Sequence, residues 1–340
     1  MAKRRHKTIP IFLPELACPA QCVYCNQRII TGQHTLPSPA QVRETIVTYL
    51  STVTTEDEVE VGFFGGTFTG LPQHYQRTLL EEVRPFRERG TIGGIRLSTR
   101  PDYIDASNLR LLREAGVTTV ELGVQSMDDA VLREVKRGYN AAQVRQSADR
   151  VKSAGLRLGI QLMLGLPGDT AERTLASAET AIEMGADDAR LYPTLVIADT
   201  EMEQQYRRGA YHPLTTEEAV RWVARPLRRL EEAGVTVLRV GLHPTQDFLQ
   251  GTGYVAGPFH VSFKELVQTA IFADVQRETL RGRGGAQAGR EAQVWVAEGK
   301  RNVAIGYGAA NKKRLLEQFA RVRYAETPQL KAYEMKIETK

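Results

Sequence analysis

The chain has 340 residues, of which 42% are hydrophobic and 25% charged. That length suits one large α/β domain or two smaller ones, and the composition is too apolar for a disordered chain. The net charge is only +5, and no run approaches the ~20 apolar residues of a bilayer span, so no membrane association is expected and an acidic partner is optional.

Met1 to Lys7 is a basic stretch that precedes a short apolar run. Pro10, Pro14 and Glu15 interrupt that run, whereas an export signal needs an unbroken apolar core. The expected location is therefore the cytoplasm.

From Thr8 onward, β-type runs alternate with amphipathic helical ones. Strands are expected at Thr8–Leu13, Val59–Phe64, Ile95–Ser98, Thr118–Gly123, Leu156–Leu164, Ala189–Thr194 and Val235–Gly241. Helices are expected between them at Pro39–Ser51, Gln73–Glu88, Asp105–Ala115, Ala141–Ala154, Ala171–Met184 and Thr216–Ala233. Several helices close on glycine, as at Gly90, Gly116, Gly155 and Gly234, which marks a left-handed stop. Such alternation builds a parallel sheet, here a complete or partial βα barrel with its site at the C-terminal strand ends. A doubly wound open sheet is the rival arrangement.

After Gly241 the alternation stops. The pattern predicts a helix at Phe263–Leu280, a Gly/Arg-rich loop at Arg281–Arg290, and a hairpin pairing Gln293–Ala297 with Asn302–Ile305. A helix at Lys312–Ala320 and a strand at Ala332–Glu338 complete the chain. The division expected is a core barrel over 1–245 and a small α+β extension over 246–340. From Gln276 onward there are 14 Lys/Arg against 7 Asp/Glu, so the positive charge is C-terminal.

The three cysteines, Cys18, Cys22 and Cys25, all lie within eight residues, directly after the first strand. An odd, clustered set is a metal pattern and not a disulfide framework. Three thiolates can hold three irons of a cubane and leave the fourth open. The alternative is zinc completed by His6 or His34, although no second Cys/His pair stands elsewhere to close such a site.

The C-x3-C-x2-C spacing, with Tyr24 before the last cysteine, resembles the signature of the radical S-adenosylmethionine (radical SAM) superfamily. Further motifs follow in that family's order over residues 8–245. They are Gly65-Gly66-Thr67-Phe68, Ser98-Thr99-Arg100-Pro101-Asp102, Glu121-Leu-Gly-Val-Gln125-Ser126, Gly165-Leu166-Pro167-Gly168 and Leu191-Tyr192-Pro193-Thr194. The resemblance implies a partial TIM-like barrel with a 4Fe–4S cluster on Cys18, Cys22 and Cys25. Its open iron would chelate the amino and carboxylate groups of S-adenosylmethionine. An external one-electron donor would then drive cleavage to a 5′-deoxyadenosyl radical. It further implies cofactor contacts from Tyr24, Gly65, Gly66, Thr67, Ser98, Arg100, Gln125, Ser126, Gly165, Leu166, Pro167 and Tyr192. Read singly, each of these glycine and proline motifs is a turn as readily as a ligand contact. Thr67 departs from the family pattern, which carries an acid there.

Within the superfamily, Thr99-Arg100-Pro101-Asp102 and Leu191-Tyr192-Pro193-Thr194-Leu195-Val196 are similar to the radical SAM region of the Elongator catalytic subunit, which modifies wobble uridines in tRNA. Oxygen-independent coproporphyrinogen oxidase shares fewer of these signals. Gln161 stands where the Elongator-type pattern has histidine. No acetyltransferase sequence follows within the 340 residues, so the resemblance implies a stand-alone relative. The function expected is radical chemistry on tRNA or another RNA bound through the basic C-terminal region. The alternatives are a porphyrinogen or other small metabolite as substrate, or a cluster-bearing protein without catalysis.

Overall fold

The structure is a computed structural model that describes residues 5–14, 18, 22–54, 56–242, 246–281 and 290–339. Seven strands run parallel in chain order: β1 (Arg5–Leu13), β2 (Asp57–Gly65), β3 (Gly94–Thr99), β4 (Thr119–Gln125), β5 (Arg157–Leu164), β6 (Asp188–Pro193) and β7 (Thr236–Val240). Each strand pairs with its sequence neighbour, and β1 and β7 form the two free edges. The result is a half-barrel, as the alternating pattern predicts, and not a doubly wound sheet.

The alternation of side chains along β1 shows how the wall is built. Ile9, Ile11 and Leu13 are buried against the outer helices, while Thr8, Pro10 and Phe12 share a face with Glu60, Gly62 and Phe64 of β2. That second face is the barrel interior, because Thr8 Oγ1 and Arg96 Nε both donate to Glu60 Oε1 there.

The outer helices through β7 are α1 (Gln27–Thr31), α2 (Pro39–Leu50), α3 (Gln73–Glu81), α4 (Arg84–Glu88), α5 (Ala106–Glu114), α6 (Asp129–Glu134), α7 (Ala141–Ser153), α8 (Ala171–Glu183), α9 (Glu201–Arg207) and α10 (Thr216–Glu232). Capping boxes start three of them, at Ser38/Gln41, Asn140/Gln143 and Thr215/Glu218. The helix expected over Gln73–Glu88 is two helices. Pro85, in the first turn of α4, has no N–H to continue the helix before it.

The remainder comprises α11 (Gln246–Leu249), α12 (Phe263–Leu280), β8 (Glu291–Ala297), α13 (Arg301–Ile305), α14 (Ala310–Leu316), β9 (Arg321–Thr327) and β10 (Met335–Thr339). The expected hairpin is corrected here. Asn302–Ile305 is helical, and β8 pairs instead with β9 in parallel and with β10 in antiparallel fashion. Val294, Val296, Val322, Tyr324 and Ile337 turn one face of this small sheet into the core that also holds the barrel's helices. The Gly/Arg-rich stretch at 282–289 lies outside the described residues. No helix among the described residues is long and apolar enough to cross a membrane.

Candidate active site

At the C-terminal mouth of the half-barrel lies a cleft of about 420 Å³. Cys18, Cys22 and Cys25 line it, together with Tyr24, Gly65, Gly66, Thr67, Ser98, Arg100 and Gln125 from the sequence motifs. The loop after β1 is pinned from two sides. Val23 N donates to Val135 O, and Met202 N donates to Val23 O (2.8 Å). Cys25 N donates to Cys22 O (3.0 Å), which turns both thiols toward the cleft. Asn26 caps α1 through Ile29 N and donates to Ala198 O (3.2 Å), tying the loop to the segment between β6 and α9.

Positive charge is built against this loop. Arg137 is buried, and its Nη1 lies 3.2 Å from Cys22 Sγ and 3.0 Å from Tyr24 Oη. Arg100 Nη1 lies 3.9 Å from the same sulfur. Asp102 grips Arg100 with both oxygens (2.9 and 2.8 Å), and Tyr139 packs under both guanidinium groups. Burial, followed by the neighbouring Cys22, pushes the Cys25 thiol up to about 12, with Gln27 Nε2 (3.5 Å) opposing the shift. Such a thiol gives up its proton only to a metal or a comparable cation.

The strand ends supply the polar wall. Gly65 has φ +100°, and a Cβ there would meet Leu13 O at 2.3 Å, so glycine is required where β1 and β2 leave the sheet. Replacing Gly65 with alanine is expected to lower stability by about 1–3 kcal/mol, and by more than Gly90→Ala in a denaturant titration, since Gly90 shares the positive φ but has nothing within 4 Å. On β4, Gln125 sits at φ +69° beside a register shift, and its Oε1 is buried with no hydrogen-bond partner. An orphaned acceptor facing a polar cleft calls for a donor from a ligand. Gln161 Nε2 bridges Ser98 Oγ (2.9 Å) and Glu121 Oε2 (2.7 Å).

Five expected residues do not line this cleft. Ser126 is buried and accepts from Asp128 N (3.1 Å). Leu166 packs in one cluster with Cys22, Val23 and Tyr24, and Gly165 O accepts from Tyr211 Oη (2.6 Å). The Gly165–Leu166–Pro167 turn thus backs the cysteine loop. Tyr192 lies deeper on the interior wall, and burial raises its phenol. Conversely, Gln27, Arg28, Thr99, Gly123, Arg137 and Gln161 line the cleft without having been expected there. Lys136-Arg137-Gly138-Tyr139, with left-handed Lys136 and Gly138, was the signal available for Arg137.

Three thiols, two guanidinium groups and an unsatisfied amide oxygen fit a thiolate-held cluster with a polar ligand beside it. Guanidinium groups near the sulfurs offset the cluster's negative charge. The zinc alternative completed by His6 fares worse. His6 stands at the start of β1, 3.2 Å from Glu60, whereas the cysteines follow the strand's other end.

Family models agree with this geometry. The model described as the radical SAM superfamily matches residues 16–181, and a radical SAM C-terminal domain model matches 186–272. The chain belongs to the radical SAM superfamily and is an enzyme of that class, with a 4Fe–4S cluster and S-adenosylmethionine as its cofactors.

Its particular likeness is to Elongator-type proteins. It is 29% identical over 239 residues to a tRNA uridine(34) acetyltransferase of Dehalococcoides mccartyi, covering 60% of this chain and 52% of that protein. It is 32% identical over 193 residues to Elongator complex protein 3 of Schizosaccharomyces pombe, covering 51% and 36%. The chain thus spans about half the length of the first relative and about a third of the second. The solved archaeal Methanocaldococcus infernus Elp3, with residues 1–46 deleted, superposes with a TM-score of 0.64 at 22% identity. It covers 81% of this chain and 64% of that one, a likeness of fold.

Proposed function

We propose that this chain cleaves S-adenosylmethionine reductively at a 4Fe–4S cluster and modifies a nucleoside in tRNA. The observation that carries this reading is the three-thiol cleft at the mouth of a half-barrel of Elongator type. When bound, the cluster and S-adenosylmethionine supply a carbon-centred radical able to abstract hydrogen from substrate.

The chain's own groups hold and shield that chemistry. Cys18, Cys22 and Cys25 each take one iron. Arg137 and Arg100 place positive charge beside Cys22, and Gln125 Oε1 offers an acceptor to the methionyl amine. The glycines at 65 and 66 leave backbone accessible beside Thr67. The required electron comes from an external donor.

The C-terminal region, 246–340, is the expected RNA-facing extension. On its sheet, Arg321 and Arg323 share Glu291 and Lys336 pairs with Glu338, but Lys312 and Lys313 on α14 have no ion pair among the described residues. Exposed Tyr307 lies just before α14 and stacks edge-on with His260 at 5.7 Å. An exposed aromatic and unpaired lysines on this extension are groups that a nucleic acid can use.

Two measurements test the proposal. Anaerobically loaded, reduced protein should release 5′-deoxyadenosine and methionine, and total tRNA from cells without the gene should lack a modified nucleoside by mass spectrometry. Cleavage with an unchanged tRNA profile would point to a small-molecule substrate. No cleavage by a fully loaded, reducible protein would leave a cluster-bearing protein without catalysis.

A further inference from the structure

The interior wall near the free edge of β7 holds a cation that the barrel's ion pairs leave over. β6 and β7 pair Arg190 with Arg239, so both side chains face the interior. Arg190 is satisfied. Its Nε and Nη2 donate to Glu121 (2.9 and 3.1 Å), and its guanidinium lies 4.9 Å from the Phe64 ring centre. Half-buried Arg239 makes no hydrogen bond or ion pair with any described residue. Burial, with the neighbouring Arg190 charge, lowers its pKa against the opposing Tyr192 phenol. A half-buried cation beside another cation is costly unless an anion completes it. Lys264, which donates to Val237 O (3.1 Å) next to Arg239 on the same strand, adds to the positive field.

The same wall carries an exposed aromatic face. Phe64, beneath Arg190, lies 6.4 Å from Phe12 on β1, and Phe12 is 36% exposed although it faces the barrel. β1 and β7 are the two unpaired edges, so the ring and the spare cation flank the opening of the half-barrel. A flat apolar face and a fork of N–H donors are the recognition elements of a base and a phosphate.

We propose that this wall is the substrate subsite for a nucleotide, with Arg239 taking a phosphate oxygen and Phe12 stacking on the base. The subsite deepens, and rests on, the RNA reading above. Glu121 takes the Nε–Nη2 edge of Arg190 and neutralises its charge, so Arg190 positions Phe64 instead.

Isothermal titration of the anaerobic, cluster-loaded protein with uridine 5′-monophosphate and with uridine separates the two contacts. Arg239→Gln should weaken the monophosphate roughly tenfold, about one charge-assisted hydrogen bond, and leave uridine unchanged. Arg239→Lys should recover part of the loss. Phe12→Leu should weaken both ligands to a similar degree. Equal monophosphate binding by wild type and Arg239→Gln, or equal losses of both ligands in that variant, would overturn the subsite. So would the absence of monophosphate binding to wild type. The tRNA nucleoside comparison distinguishes failures: Arg239-dependent monophosphate binding with an unchanged tRNA profile keeps the subsite and rejects RNA as the substrate, and the converse rejects the subsite alone.

Discussion

Replacing any one of Cys18, Cys22 and Cys25 with alanine is expected to abolish the brown iron–sulfur absorbance of anaerobically reconstituted protein. Wild type should carry about four irons and four sulfides per chain, and each variant should lose nearly all of both. In the proposed site each thiolate would hold a different iron, and no other described thiol is present to replace it. The cluster loss should be all-or-none, while the fold persists, because backbone bonds at Val23 anchor the cysteine loop whichever sulfur is removed. Thermal melts of the metal-free variants should match metal-free wild type. Arg137→Met is the graded companion. It removes the N–H nearest Cys22 Sγ, and the cluster should persist with a lower reduction potential, since withdrawing positive charge disfavours the more negative reduced state. Full iron and sulfide in an alanine variant, or tightly bound zinc without sulfide in wild type, would reject the cluster assignment.

The cysteine spacing was legible because thiolate chemistry tolerates few other uses for three clustered cysteines. The βα alternation was legible because glycines close helix after helix. What escaped the sequence depends on contacts between distant positions. Arg137 meets Cys22 across 115 residues, and only the junction of α6 and α7 brings it there. Asn302–Ile305 is a short apolar run, a pattern that strand and helix share, and the real partner of β8 was overlooked. In β9, Val322 and Tyr324 turn inward while Arg321 and Arg323 face solvent. That alternation has the period of a half-buried strand, and no element was expected there. Arg96 gave no signal either, since its three carboxylate partners come from three different strands.

That arginine carries the largest stability effect expected. Arg96 is 3% exposed and donates to Glu60 (2.7 Å), Glu121 (2.8 Å) and Asp188 (2.8 and 3.1 Å) inside the barrel. Arg96→Met fills much of the same volume but leaves carboxylates buried with less compensating charge. The loss should be about 3–5 kcal/mol at pH 7. Its pH dependence separates charge from packing. Hydrogen bonding by His6 and the charge of Arg96 overcome the burial that opposes ionisation of Glu60, and hold it at about 2. Glu121 is likewise lowered, by Arg190 and Arg96 against its burial. Both therefore contribute stability above their unfolded value of about 4.3, and that contribution is lost as pH falls toward 2. Asp188 is raised by burial. It has the opposite sign and takes up a proton early, offsetting a fraction of the loss. In Arg96→Met all three carboxylates should protonate at higher pH than in wild type. The stability gap between the two proteins should then narrow steadily from pH 7 to pH 4 in urea titrations. A gap that stays constant over that range would mean that Arg96 acts through its packing, and that the barrel interior tolerates its carboxylates without it.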